Sequence, residues 1–206
     1  MNDAIPTHRR TIVIESFDSD ESFEIVASLQ DERPWADGED LVSDVHRMSL
    51  RMLIDRATLT VTDVNASMER TPHAECTAIE PAFRSLIGVS VTRGFNKEVS
   101  ERVGRQRGCT HLDFLAKAIG PAVIQTMASA SSRRAGLAGI GRTVSQDTGG
   151  WLRNTCHLWA EGGIGLTKIS EGWRPGVDGY PARSLVEMRR RRASSVSFDE
   201  VDEDRA

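Results

Sequence analysis

The stretch from His46 to Val61, HRMSLRMLIDRATLTV, constrains the fold more than any other part of this chain. Met48, Leu50, Met52 and Ile54 alternate with polar residues, Asp55 to Ala57 turn the chain, and Leu59 and Val61 resume the period of two. That period puts the apolar side chains on one face of a β-hairpin, and the face must be covered. The alternation then slips by one at Val64, Ala66 and Met68, which predicts a β-bulge. Upstream, TIVIES and FEIVASL are joined by the polar DSDES and read as a first hairpin. Between the hairpins, RPWADGEDLVSD has Pro34, Gly38 and no apolar period, and reads as a loop lying over the core through Trp35.

The cover comes from helices. In CTAIEPAFRSLIGV, Ile79, Phe83, Leu86 and Ile87 form one helical stripe, with Pro81 placed in the first turn and Gly88 as the stop. GFNKEVSERVG repeats the pattern through Phe95, Val99 and Val103. In THLDFLAKAIGPAVIQTMAS, Leu112, Leu115, Ile119, Val123 and Met127 face one way, and Gly120-Pro121 is expected to kink the helix or divide it. Residues 129–150 have the Ser/Gly composition of a flexible insertion. WLRNTCHLW and IGLTKI, flanking AEGG, read as a last hairpin. From 171 onward a charged tail is expected to stay disordered, because its arginine run and acidic end lack apolar anchors. The fold class is therefore α+β: an antiparallel sheet from two hairpins with helices packed on one face, in a single domain over residues 9–170 after a short tail at 1–8.

With a formal net charge of -4 over 206 residues, no global basicity points to nucleic acid. No apolar run is long enough for a membrane span, and the first residues, MNDAIPTHRR, lack a secretory stretch. The expectation is a soluble cytoplasmic protein. Its three cysteines, Cys76, Cys109 and Cys156, are odd in number and widely spaced, so reduced thiols fit better than a disulfide framework.

Two of these cysteines stand at helix starts. Thr110 followed by Asp113 has the capping-box spacing, so Thr110 reads as the N-cap, Cys109 as the residue before it and His111 as the first helical residue. Free backbone N–H groups at a helix start stabilise an anion, which serves a nucleophile and a metal ligand alike. Cys76 precedes the helix that begins near Ile79, and His46 has the parity of Met48 and Leu50, toward the helix-covered face. Together Cys76, Cys109, His111 and His46 would supply two thiolates and two imidazoles, a ligand set for zinc or an iron-sulfur cluster. Cys156 and His157 compete as ligands, but neighbours in a strand point to opposite faces. His8 and His73 read as surface residues.

The stretches HRMSLRMLID, AECTAIEPAFRSLIGV, GCTHLDFL and NTCHLWAEGG together resemble the bacterial domain-of-unknown-function family 2889, over about Arg9 to Ile169, with GCTHL the most specific part. Phe95, where that family has tryptophan, and the charged tail depart from its pattern. The order of parts also resembles the NifU/IscU-type iron-sulfur scaffold domain. That likeness implies Cys76 as the cysteine before a helix and Cys109 as the cysteine of a His-Cys pair, with His46 near the place of the first cysteine. Here the histidine follows Cys109 instead of preceding it.

Three functional expectations follow. The first is a metal-binding accessory or scaffold protein with a protein partner, using Cys76, Cys109, His111 and His46. The second is an acyl- or sulfur-transfer enzyme with Cys109 as nucleophile and His111 as base. The third is an interaction module whose cysteines are core residues.

Overall fold

The computed structural model describes residues 4–36, 43–137, 153–173 and 182–199. The chain divides into two compact units, Met1–Ala130 and Ser131–Ala206.

In the first unit, strands β1 (Arg9–Asp18), β2 (Ser22–Glu32), β3 (Asp44–Asp55) and β4 (Val61–Arg70) form one antiparallel sheet in the order β1-β2-β3-β4. The inward face is the one the alternation predicts: Met48, Leu50, Met52 and Ile54 are fully buried, beside Phe23, Ile25, Ala27 and Leu29 of β2. The expected slip is real, since Leu53 pairs with Asp63 but Ile54 pairs with Val61, which leaves Thr62 as the extra residue. The loop after β2 is held differently from expectation. Trp35 is half exposed and donates its indole N–H to the carbonyl of Thr7 at 2.9 Å.

Helices α1 (Phe95–Val103) and α2 (Thr110–Leu137), a 3-10 segment (Ala74–Leu86), β4, and Val89 and Val91 after the 3-10 segment also contribute to this core. Phe95, Val99 and Val103 of α1 are buried, as are Leu112, Leu115, Ile119 and Val123 of α2. This is the α+β arrangement expected.

The segment around Pro81 is a 3-10 helix and not the α-helical turn expected. Pro81 lies in its middle, where an α-helix would lose a backbone hydrogen bond and meet the carbonyl four residues back. With three residues per turn, Glu80, Phe83 and Leu86 share one face. Phe83 and Leu86 are buried there, Ile87 is exposed, and the Glu80 carboxylate accepts the Met68 N–H at 2.7 Å.

Helix α2 is continuous through Gly120-Pro121. Gly120 lies close against α1, since a Cβ there would stand 3.1 Å from the Phe95 ring. The helix also occupies 129–137, part of the expected flexible insertion; the remainder, 138–150, lies outside the described residues.

In the second unit the expected last hairpin is replaced by a 3-10 turn (His157–Trp159) and helix α3 (Ile164–Ser170). Short apolar runs do not distinguish strand from helix by period, and the glycines decide the matter. A Cβ at Gly163 would fall 2.7 Å from the Ala160 carbonyl oxygen, and one at Gly165 2.6 Å from the Trp159 ring, so the chain folds tightly back on its tryptophan. Where a disordered tail is expected, Leu185–Asp199 forms helix α4. Its arginines are not isolated: Arg191 pairs with Glu187 one turn back, where Arg183 just before the helix also reaches, and Arg189 pairs with Glu171.

Candidate metal centre

Strand β2 places Phe23, Ile25, Ala27, Leu29 and Asp31 on its inward face in strict alternation. The fifth position of this apolar row is therefore a carboxylate, and it is only 2% exposed. A buried charge needs partners, and Asp31 gathers them from three elements. Arg10, its cross-strand neighbour on β1, donates Nε–H and Nη2–H to the two carboxylate oxygens, both at 2.7 Å. His46, its cross-strand neighbour on β3, brings Nδ1 to 3.2 Å from Oδ2. From the start of α2, His111 brings Nε2 to 3.5 Å from the same oxygen. His8, just before β1, reaches Oδ1 with Nε2 at 3.2 Å. The Arg10 guanidinium holds the Asp31 carboxyl below the usual carboxylate range, against the opposing effect of burial.

The approach of His111 is set by the chain before α2. The residues between α1 and α2 are Gly104, a 3-10 turn (Arg105–Arg107), Gly108 and Cys109. A Cβ on Gly108 would lie 1.8 Å from the Val103 carbonyl oxygen, so only glycine passes the end of α1 this closely. This is the physical content of the G in GCTHL. The Asp113 N–H then bonds the Cys109 carbonyl at 2.8 Å, which makes Cys109 the residue flanking the helix and Thr110 its first, one position earlier than the capping-box reading. Asp113 pairs with Lys117 at 2.7 Å and does not close a capping box. One consequence of the shift is that Cys109 and His111 point the same way, with Sγ 3.7 Å from Nδ1.

The His46 and His111 rings lie with centroids 4.2 Å apart. Burial, then the charge of His46, then that of Arg10 push the His111 pKa down, with Asp31 opposing, so its neutral imidazole is favoured. One ligand atom each from Asp31, His46 and His111 lie within 4.8 Å of one another. Ligands of a tetrahedral ion with bonds near 2.0–2.2 Å are separated by roughly 3.4 Å. The two nitrogen-to-oxygen spacings, 3.2 and 3.5 Å, bracket that value.

Of the four residues expected from sequence, His46 and His111 are in this group. Cys109 stands behind His111, on the ring nitrogen facing away from Asp31. Cys76 lies in the 3-10 segment, partly buried against the core, and neither thiol is among the converging ligand atoms. Cys156 is exposed, and all three cysteines are free. Asp31, Arg10 and His8 were missed. The signal for Asp31 was present in the alternation, which runs one inward position past Leu29.

Residues 8–125, from the segment before β1 to the middle of α2, match the family described as "Protein of unknown function (DUF2889)". The chain belongs to this DUF2889 family. The match covers His8, Arg10, Asp31, His46, Cys109 and His111, and so the whole cluster. No curated protein and no solved structure gives a significant match. Among the described residues, no helix is long and apolar enough to cross a membrane.

Proposed function

We propose that this DUF2889 protein binds a single divalent transition-metal ion through Asp31, His46 and His111. The observation that carries the reading is the convergence of their ligand atoms within 4.8 Å around a buried carboxylate. Two imidazoles and one carboxylate suit zinc or ferrous iron, and leave at least one coordination position for water or a small ligand. An iron-sulfur cluster is disfavoured by this donor set, since cluster ligands are chiefly thiolates. Arg10 and His8 orient the carboxylate from behind. Cys109 takes the outer-shell place beside the far ring nitrogen of His111, where an acceptor fixes the tautomer of a metal-bound imidazole. The scaffold or accessory role, with a protein partner in the cytoplasm, is part of this proposal, and the three free thiols suit a reducing compartment.

Metal content after purification without chelator, and titration with zinc or anaerobic ferrous iron, test the reading. About one equivalent is expected for the native chain and for Cys76→Ala. Large losses are expected for His46→Ala, His111→Ala and Asp31→Asn. Less than a tenth of an equivalent, with no binding at tens of micromolar metal, overturns it.

One observation favours a second reading. Cys109 Sγ, both ring nitrogens of His111 and the Asp31 carboxylate form a line with steps of 3.7 and 3.5 Å. In that order Nδ1 takes the thiol proton, the thiolate adds to an acyl carbon and opens its C=O π bond, and Asp31 steadies the imidazolium; the adduct then re-forms C=O by expelling the acyl donor's alcohol or thiol, which leaves with the proton from Nδ1. Rapid alkylation of Cys109 that His111→Ala abolishes and chelator leaves unchanged supports this reading over the first.

A further inference from the structure

Strand β1 is an edge of the sheet, and among the described residues no strand pairs with its outer side. It is 10 residues long, pairs with β2 from Arg9↔Glu32 to Asp18↔Phe23 without a register shift, and contains neither lysine nor proline. Long regular edges without bulges, lysines or prolines are templates for another strand. Ile14 packs partly against the core, but three apolar side chains of the strand are exposed, on both faces. Ile12 shares the helix-covered face with Leu29 across the ladder yet is 37% exposed, and Val13 and Phe17 on the other face are 46% and 54% exposed.

The strand is also self-complementary. Exposed His8 and Arg9 stand at one end, and exposed Glu15 and Glu21 toward and beyond the other, while Arg10 and Asp18 are held within the chain by Asp31 and Arg56. Any antiparallel pairing of β1 with a second β1 sets the basic end of each against the acidic end of the other. A two-fold axis perpendicular to the sheet keeps faces matched, so opposed residues must have the same parity. Centring the axis on Val13 gives the best partners: Val13 meets itself, Ile12 meets Ile14, Arg9 meets Phe17 and His8 meets Asp18. Centring on Ile12 sets Ile14 against Arg10, and centring on Ile14 sets Val13 against Glu15.

We infer that the protein is a homodimer in which two β1 strands pair antiparallel about Val13 to form one eight-stranded sheet. The exposed Ile12 of each copy then gains cover from the partly buried Ile14 of the other. The pairing also brings the acidic end of the second β1 beside His8 and Arg10, at the rim of the Asp31 cluster.

Light scattering on the full chain at about 50 micromolar tests this. The expected mass is twice the chain's 22.7 kDa. Val13→Lys puts like charges face to face on the axis and should weaken association at least about tenfold. Because Val13 is half exposed, the circular dichroism of that variant should be unchanged. Val13→Cys in a Cys156→Ser background should form a disulfide-linked dimer on mild oxidation, which stands as the test should Val13→Lys fail to fold. A native chain that remains monomeric overturns the inference, as does a dimer that Val13→Lys leaves intact and Val13→Cys does not cross-link. A monomer whose β1 edge amides exchange slowly also overturns it, and shows that the chain covers its own edge.

Discussion

Replacing Asp31 by asparagine removes one negative charge from among four basic side chains while leaving the volume of the site nearly unchanged. Breaking a buried ion pair by removing one partner costs about 3–5 kcal/mol when the survivor is left buried and uncompensated. Here the survivor is Arg10, whose side chain is 36% exposed and regains part of its hydration. The His111 imidazole favours its neutral form, so it strands no charge beside the amide. The asparagine carbonyl still accepts one of the two guanidinium bonds. The expected loss in metal-free protein at pH 7 is therefore about 2 kcal/mol, with the chain remaining folded. Urea denaturation in the presence of chelator measures it, as a lower midpoint at unchanged slope. In the same variant, zinc or ferrous affinity should fall at least about a hundredfold. A variant within 0.5 kcal/mol of the native chain (~0.5 being the usual spread for surface substitutions) would refute the account of Asp31 as a buried, paired charge. Undiminished metal binding would refute its role as ligand.

Gly108→Ala should cost about 2 kcal/mol or more, because its Cβ would meet the Val103 carbonyl oxygen at 1.8 Å; it should also lower metal affinity by moving His111, and thermal melting with metal titration checks both. Phe83→Ala, at a fully buried position, should cost about 3–5 kcal/mol in urea denaturation. Folded His111 resists protonation relative to an unfolded imidazole, so metal-free protein should lose stability as pH falls below 6.5, and His111→Asn should lack that step. The folded Asp31 carboxyl is held below its ordinary value of 3.8, so its contribution persists above that pH and disappears as pH falls through the depressed value; the gap between native chain and Asp31→Asn should shrink only there.

The inward face of β3 was legible because a sustained period of two has one structural meaning, while FEIVASL was legible as a strand from its β-branched and aromatic residues. His46 was legible from the period in β3, as its parity matched Met48. Asp31 carries the inward parity of β2, but it lies beyond Leu29, where the sequence turns polar and the pattern alone no longer marks a strand. The pairing of Asp31 with Arg10 depends on cross-strand register, which the hairpin turn sets and side-chain pattern alone does not. Cys109 and His111 were found as a pair, yet their shared direction rests on where α2 begins. One residue of difference in that start turns the thiol toward the ring. Cys76 resembles Cys109 only if Pro81 stands in the first turn of an α-helix. The 3-10 geometry around that proline gives the segment a threefold face of Glu80, Phe83 and Leu86.

The carboxylate at the end of the inward row of β2 bears on how such a chain would drift. Replacing a buried ionic group by well-packed apolar residues is often neutral or stabilising by about 1–4 kcal/mol. A lineage selected only for folding would therefore have no reason to keep Asp31 beside Leu29, nor the arginine and two histidines that answer it. Leucine at that position, with apolar residues at 10, 46 and 111, would complete the core more simply. The cluster is a place where the folding requirement and the sequence pull in different directions, and retention of all four residues in a lineage would mark selection on their chemistry.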